Sequence, residues 1–226
     1  MNASVSDAKT WNDVDLADID RRFEHATPHE IVSWAVSAFG RGVCVAASMA
    51  DAVLIDIAVT VKPDIEILFI DTGYHFPETL QTVERVRERY GANIREVRNP
   101  EPTTDLWKTD TEGCCAIRKV AMLDQSLADY DAWMSGLRRV EAPTRSNARI
   151  SARDIRGKVK INPLANWSDA QVDAFIAERD IPVNPLIEQG YASIGCWPCT
   201  SLPTDPDDPR SGRWAGSSKT ECGLHL

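Results

Sequence analysis

The cysteines are the residues of this sequence whose spacing could do chemistry. Cys114 and Cys115 are adjacent, Cys196 and Cys199 form a CWPC pair, and Cys222 stands alone in the final segment, ECGLHL. A thiolate is both a nucleophile and a metal ligand. A structural cysteine prefers a packed interior, so an unpaired cysteine in a terminal segment is either incidental or useful because it is mobile and exposed.

The two cysteine pairs allow several kinds of site. A redox CxxC should open a helix directly after a strand, whereas CWPC lies in a segment rich in glycine and proline. A structural zinc would accept four thiolates, but its ligand pairs usually stand two to four residues apart, which vicinal cysteines do not. In an iron–sulfur cluster each thiolate binds a different iron, so adjacent side chains can diverge. The spacing favours the cluster and leaves zinc, a redox pair and plain buried thiols open.

Composition narrows the functional classes. The net charge of −9 argues against a general nucleic-acid binder, which needs a cationic surface. We find no stretch with the length of a membrane span, and the polar, acidic start of the sequence reads as neither a signal nor a transit peptide. We therefore expect a cytoplasmic chain without membrane or nucleic-acid partners. Thiols stay reduced in that compartment, so six cysteines there indicate metal binding or catalysis.

Alternating strands and helices must position these residues. Buried strands are predicted at 43–49 and 65–70 and a third strand at 93–97. Capped helices are predicted at 26–40, with Thr27 as N-cap, and at 77–91. Residues 50–62 read equally as a strand or a crossover helix. This alternation predicts βαβ units, hence an α/β fold with a mostly parallel, twisted sheet flanked by helices. Ligands of such sheets bind beyond the carboxyl ends of the strands, here 47–51 and 71–76.

The second half of the chain changes character after Pro182. Before it we predict a helix over about 115–127, a strand within 131–137 and a helix in 166–180 with a Ser168–Gln171 capping box. Beyond it, proline, glycine, serine and aspartate predict irregular loop, with a mobile tail from about Leu202. The predicted organisation is one α/β catalytic domain, 1–201, with a helical N-terminal region, 1–40, and a flexible segment, 202–226, that carries Cys222.

Seven segments occur in a characteristic order from about residue 43 to the end: LFIDTGYHFPET, GCCAIRK, SGLRRVEAPTRS, NPLANWS, GYASIGCWPCT, DPRSGRWAG and ECGLHL. Together they resemble the iron–sulfur adenosine 5′-phosphosulfate (APS) reductases, a branch of the sulfonucleotide (APS/PAPS) reductases of assimilatory sulfate reduction. The resemblance implies an adenine nucleotide α-hydrolase-like fold, related to the PP-loop ATP pyrophosphatases. It also implies a [4Fe-4S] cluster on Cys114, Cys115, Cys196 and Cys199, with thioredoxin or a glutaredoxin-like protein as reductant.

The chemistry implied by this resemblance begins with attack of the Cys222 thiolate on the sulfur of APS, which yields S-sulfocysteine and AMP; the reductant then releases sulfite. Cations must offset the repulsion between two anions, and guanidinium groups grip phosphate and sulfate oxygens in pairs. The implied catalytic residues are Cys222, Lys119 and His225. For His225 two interpretations stay open: it activates the Cys222 thiol, or it has no role. The implied substrate-binding residues are Ser48, Asp51, Asp71, Thr72, Gly73, Lys119, Arg138, Arg145, Arg210 and Arg213.

One segment departs from the ATP-cleaving relatives of the family. They carry a glycine-rich SGGxDS loop after the first strand, where this chain has ASMADA, residues 47–52. Without glycine the backbone approaches a phosphate chain less freely, which fits a smaller phosphosulfate. Ser48 and Asp51 are interpreted as remnants of that loop. Three rival functions stay open: reduction of 3′-phospho-APS (PAPS), a PP-loop ATP pyrophosphatase such as a tRNA-thiolating enzyme, and a zinc-stabilised binding module.

Overall fold

Six strands build one sheet among the residues that the computed structural model of this chain describes, which are 11–217 and 219–224. The strands are β1 (Val43–Ala47), β2 (Glu66–Asp71), β3 (Asn93–Arg98), β4 (Ala132–Ser135), β5 (Ser151–Arg153) and β6 (Val159–Ile161). Their order is β3-β2-β1-β4-β6-β5. All neighbouring pairs are parallel except β5 with β6. The predicted mostly parallel sheet is therefore confirmed.

The helices of the described residues are α1 (Asp13–Phe23), α2 (Pro28–Phe39), α3 (Val53–Val61), α4 (Pro77–Tyr90), α5 (Leu106–Thr109), α6 (Thr111–Cys115), α7 (Ala121–Ser126) and α8 (Asp169–Arg179). The ambiguous segment 50–62 forms helix α3, whose first six residues are all buried. The helix predicted over about 115–127 starts earlier and is interrupted, because a π-helical turn, Ala116–Val120, joins α6 to α7.

Local capping explains where several helices begin and end. The Thr27 hydroxyl accepts from the Glu30 N–H, and the same reciprocal box links Ser168 with Gln171, so both predicted capping boxes are confirmed. Gly91 follows the last residue of α4 and caps the helix. Its φ of 57° is left-handed, a conformation that glycine adopts at little cost.

Alternation along the strands sends side chains to two separate cores. Val45 is opposite Ile67 on one side and Met134 on the other, and these three pack in the larger core with residues of α1, α2, α3, α4 and α8. Their neighbours point the opposite way: Cys44, Leu68 and Trp133 pack with Leu123 and Leu127. Cys44 is fully buried and is therefore a core residue. The sheet is thus covered by helices on both faces.

The loop after β1 keeps an unusual backbone without glycine. Met49 has a φ of 61°, in the left-handed region that residues with a Cβ adopt rarely. Its side chain has no exposed surface and belongs to the larger core. Burial of the side chain compensates for the backbone conformation, so the loop turns sharply despite its ASMADA sequence.

Among its described residues, the segment after Pro182 is irregular, as predicted, apart from a 3₁₀ turn, Trp197–Cys199, and isolated β-bridges. The segment nonetheless packs closely. Trp214 is 5% exposed, and its backbone N–H donates to the Cys199 carbonyl at 3.0 Å. Whether residues beyond Leu202 are mobile stays a prediction. No helix among the described residues combines the length and apolarity needed to cross a membrane.

Candidate active site

A cavity of about 430 Å³ opens at the carboxyl ends of β1, β2 and β4, where the parallel sheet predicts a ligand site. Most of the predicted substrate and catalytic residues line it: Ser48, Asp51, Thr72, Lys119, Arg138, Arg145, Arg210, Arg213 and Cys222. The fold thus brings to one cavity residues that are separated by up to 174 positions (48 to 222) in the sequence.

Two predicted substrate residues lie outside the cavity lining. The Asp71 carboxylate accepts from the Gly73 N–H at 2.8 Å and pairs with Arg98 at 3.5 Å. Asp71 and Gly73 therefore shape the turn after β2, and their contact with a nucleotide stays a prediction. His225 lies outside the described residues.

Asp51 is tied to the start of α3. Its carboxylate accepts from the Val53 N–H at 2.9 Å, close to the helix N-terminus. Burial raises the pKa of Asp51, although this hydrogen bond and Arg138 favour the ionised form. Asp51 is therefore held in place at the rim of the cavity where β1 ends.

Lys119 and Arg213 form the cationic end of the cavity. Lys119 lies in the π-helical turn that follows the cysteine pair, and it is 8% exposed. Burial by itself lowers the pKa of Lys119, but the charges of the neighbouring thiolates, Cys196 and Cys222 foremost, outweigh it and the net shift is upward. Burial lowers the pKa of Arg213, against the influence of the same thiolates. Within the described ranges, neither side chain has a carboxylate within ion-pair distance.

The other three arginines of the cavity are paired with carboxylates. Arg138 donates to Asp169 at 2.7 Å. Arg145 and Arg210 share the Glu221 carboxylate, at 2.8 Å from Arg145 Nε and 3.2 Å from Arg210 Nη2. Burial alone would lower the pKa of Arg145, but its carboxylate partners raise it. The positive charges of these three arginines are therefore largely neutralised by carboxylates of the chain itself.

Cys222 faces the cationic end. Its side chain is half-buried and lines the large cavity. Lys119 and Arg213 line the same cavity. The unpaired thiol therefore shares its end of the cavity with two cations.

The four cysteines predicted as cluster ligands line a second, much smaller cavity, of about 10 Å³, which Lys119 also lines. Cys114, Cys115 and Cys196 are buried, and Cys199 is half-buried. Burial raises the pKa of Cys115 to about 11, and that of Cys114 also rises through burial and then through Cys196 and Cys199. In the described part of the chain, no group of three or more His, Cys, Asp or Glu side chains is placed to hold a single metal ion.

Thr72 links the two cavities. It lines the larger one, as predicted, and its hydroxyl also lies 3.3 Å from the sulfur of Cys196. The same hydroxyl accepts from the Tyr74 N–H at 3.2 Å. The turn after β2 thus contacts the cysteine site as well as the nucleotide-sized cavity.

Sequence reasoning missed several residues at this site. Glu221 and Lys219 precede Cys222 by one and three residues. Lys219 forms an ion pair with Glu112 on α6. Trp214 lines both cavities. His75 also lines the larger cavity; its Nε2 lies 2.9 Å from the Ile70 carbonyl oxygen, and burial lowers its pKa. The charges beside Cys222 were a visible signal for Glu221 and Lys219; nothing local distinguishes Trp214 from the other tryptophans.

The comparisons with known proteins agree with this geometry. The family model described as the phosphoadenosine phosphosulfate reductase domain matches residues 42–202. An adenosine 5′-phosphosulfate reductase of Rhodococcus erythropolis is 48% identical over 219 residues, covering 88% of this chain and 89% of that protein. The chain therefore belongs to the phosphoadenosine phosphosulfate reductase family, which confirms the resemblance.

Solved structures place the fold. A phosphoadenylyl-sulfate (PAPS) reductase from Candida auris, in a phosphate complex, has a TM-score of 0.76 and 25% identity, over 86% of this chain and 100% of that one. An NH₃-dependent NAD synthetase from Campylobacter jejuni has a TM-score of 0.51 and 14% identity, over 78% of each chain, and is similar in fold alone. The predicted adenine nucleotide α-hydrolase-like fold is thereby confirmed.

Proposed function

We propose that this protein reduces APS to sulfite and AMP in assimilatory sulfate reduction. The observation that carries the proposal is the position of Cys222, an unpaired thiol that lines a nucleotide-sized cavity beside Lys119 and Arg213. The name of the Rhodococcus relative, an APS reductase at 48% identity, supports APS as the substrate.

In the first step the Cys222 thiolate attacks the sulfur of the sulfate group. A bond forms between the two sulfur atoms, the bond from that sulfur to the bridging oxygen breaks, and AMP leaves with the electron pair. Lys119 and Arg213 offset the negative charge that gathers around the reacting sulfur. Arg138, Arg145 and Arg210, together with Ser48, Asp51 and Thr72, are proposed to hold the nucleotide, and Asp71 and Gly73 to shape its binding turn.

In the second step a dithiol protein, thioredoxin or a glutaredoxin-like reductant, restores the enzyme. One of its thiolates attacks the Cys222 sulfur, sulfite leaves with the electron pair, and the partner's second thiol then breaks the mixed disulfide. The two electrons therefore come from the partner, which is oxidised to a disulfide. His225 is proposed to orient the Cys222 thiol, and a cytoplasmic location is proposed because such dithiol reductants work there.

We also propose a [4Fe-4S] cluster on Cys114, Cys115, Cys196 and Cys199. Four thiols that converge on one small cavity are the donor set such clusters use. When bound, the cluster supplies local electrostatic stabilisation next to Lys119 and no electrons. Purified protein should be brown and contain equivalent iron and sulfide; a colourless protein that contains zinc would overturn the assignment.

The proposed reaction is tested by trapping its intermediate. Protein mixed with APS without reductant should gain about 80 Da, the mass of SO₃, on the peptide that contains Cys222. Cys222→Ser should gain nothing, and the matched control Cys44→Ser should keep the adduct because Cys44 is in the core. An adduct on another cysteine would contradict the assignment of the nucleophile. Competing APS against PAPS in a single turnover decides between the two nucleotides.

A further inference from the structure

Glu221, the residue before Cys222, occupies an arginine cradle inside the cavity. One carboxylate oxygen accepts from Arg145 Nε at 2.8 Å and from the Thr144 hydroxyl at 3.2 Å. The other accepts from Arg145 Nη2 at 2.9 Å and Arg210 Nη2 at 3.2 Å. Both arginines are largely buried, with 12% and 13% of their side chains exposed. This is a paired, charge-assisted contact of the strongest kind that side chains make.

The cradle suits more than a carboxylate. Guanidinium groups bind sulfate and phosphate oxygens with the same parallel N–H geometry. Arg145 and Arg210 both line the cavity, so an anion that enters it can reach them. A carboxylate from the chain and an oxyanion from a ligand therefore compete for the same donors.

The competition matters because of where Glu221 lies in the chain. One peptide bond joins it to Cys222, so a fixed carboxylate also fixes the backbone that carries the nucleophile. A second ion pair, between Lys219 and Glu112, ties the same segment to the helix of the cysteine pair. Cys222 is thus anchored in part by a contact that an anion can replace.

We propose that Glu221 is a positioning residue that fills the Arg145–Arg210 cradle in the absence of nucleotide and yields it to the oxyanion of the substrate. The inference rests on the proposed function, since it takes these arginines as substrate ligands. Exchange of the two anions loosens the Cys222 segment only after the nucleotide has bound. The loosened segment can then carry its sulfur out of the cavity to a protein reductant.

Binding of APS to chains that cannot turn over tests the exchange. In a Cys222→Ser background, Glu221→Gln should bind APS at least about fivefold more tightly in calorimetry, since no carboxylate competes for the cradle. Equal or weaker binding would overturn the exchange while leaving the proposed function intact. If APS binds to neither chain, the proposed function fails instead.

Alkylation of Cys222 by iodoacetamide, followed by peptide mass spectrometry, tests the anchoring. Glu221→Gln should react at least about fivefold faster than the unaltered chain. Glu141→Gln is the matched control, because it removes another carboxylate from Arg145, 2.5 Å away, without touching the Cys222 segment; it should react at the unaltered rate. Equal rates for Glu221→Gln and the unaltered chain would exclude the anchoring role.

Steady-state kinetics separates positioning from a structural role. With Cys222 present, Glu221→Gln should lower KM and leave kcat nearly unchanged, because the substrate binds more easily and Glu221 has already left the cradle once the nucleotide is bound. A merely structural residue would instead raise KM and lower Tm. That pattern would also overturn the proposal.

Discussion

Gly195 has a hydrogen where other residues have a Cβ, and that space holds the guanidinium group of Arg213. A Cβ built on Gly195 would lie 2.2 Å from Arg213 Nη2. The arginine would have to move, and it donates to the Ser193 hydroxyl at 3.3 Å and the Ile194 carbonyl at 3.4 Å. The position of the cation therefore depends on the absence of a side chain in the neighbouring loop.

Gly195→Ala should raise the KM for APS about tenfold, the effect of losing one charge-assisted contact. The double variant Gly195→Ala with Arg213→Ala should be no worse than Arg213→Ala alone, because the alanine acts through the arginine. If the losses of the two single variants add up in the double variant, Gly195 acts in some other way. Thermal unfolding of each variant checks that the fold is retained.

Thr72 is the second single residue with a testable contact, its hydroxyl lying 3.3 Å from the Cys196 sulfur. If Cys196 holds iron, Thr72→Val should lose iron to a chelator about tenfold faster, since partners of metal ligands strengthen the site. Thr72→Ser keeps the hydroxyl and should lose iron at the unaltered rate. Identical rates in all three chains would remove the hydroxyl from the account of the cysteine site.

The π-helical turn between α6 and α7 sets the direction of Lys119. Such turns are rare and frequently mark functional sites. Cys114 and Cys115 lie just before it, and Lys119, within it, faces both cavities. One short element therefore connects the cysteine site with the nucleotide-sized cavity.

Strand β6 carries a buried lysine that should depress stability at neutral pH. Burial lowers the pKa of Lys160 to about 8, and its ammonium group lies 5.2 Å from the Trp133 ring centre on β4. Between about pH 8 and the ordinary lysine pKa, the unfolded chain binds a proton that the native chain lacks. Stability from this group therefore rises with pH across that window.

Lys160→Met should accordingly raise the free energy of unfolding at pH 7 by about 1–3 kcal/mol, and the gain should shrink toward pH 10. Denaturant unfolding at several pH values measures it. Lys108→Met, at a lysine whose side chain is 52% exposed, is the control and should change little at any pH. A gain that does not depend on pH would attribute the effect to packing.

The whole chain is acidic although its cavity is cationic. The net charge is −9, yet five lysine and arginine side chains line the larger cavity. Three of these are neutralised by carboxylates of the chain itself, which leaves Lys119 and Arg213, beside Cys222, as the cations without such a partner among the described residues. The charge that chemistry needs is thus confined to one end of one cavity.

Two truncated chains should separate the catalytic segment from the part that supports the cysteines. A chain that ends at Ser217 keeps Trp214, so its Tm should fall by no more than about 3 °C, while no sulfite is released because Cys222 is absent. A chain that ends at Ser201 lacks Trp214, which lines the cysteine cavity together with Cys199. If the cysteine pairs hold iron, this chain should also lose that iron more quickly. Equal iron retention in both chains would show that Trp214 does not protect the cysteine site.

Much of the fold was predictable because it follows from local rules. Reciprocal capping fixed the starts of α2 and α8, and apolar runs identified β1 and β2. The π-helical turn was not predictable, because packing around the cysteines and Lys119 decides it rather than propensity. Met49 likewise gives no local sign that its backbone turns left-handed.

The candidate site likewise has features that the sequence predicts and features that only the structure decides. By itself the sequence determined the family, and it pointed to five cysteines and several cations as the candidate site, because residue type and order carry that chemistry. Only the tertiary structure decided that Glu221 holds Arg145 and Arg210, that Thr72 reaches Cys196, and that Asp71 and Gly73 lie outside the cavity. These contacts join residues up to 124 positions apart, and no local pattern encodes a distance that depends on how the whole chain packs.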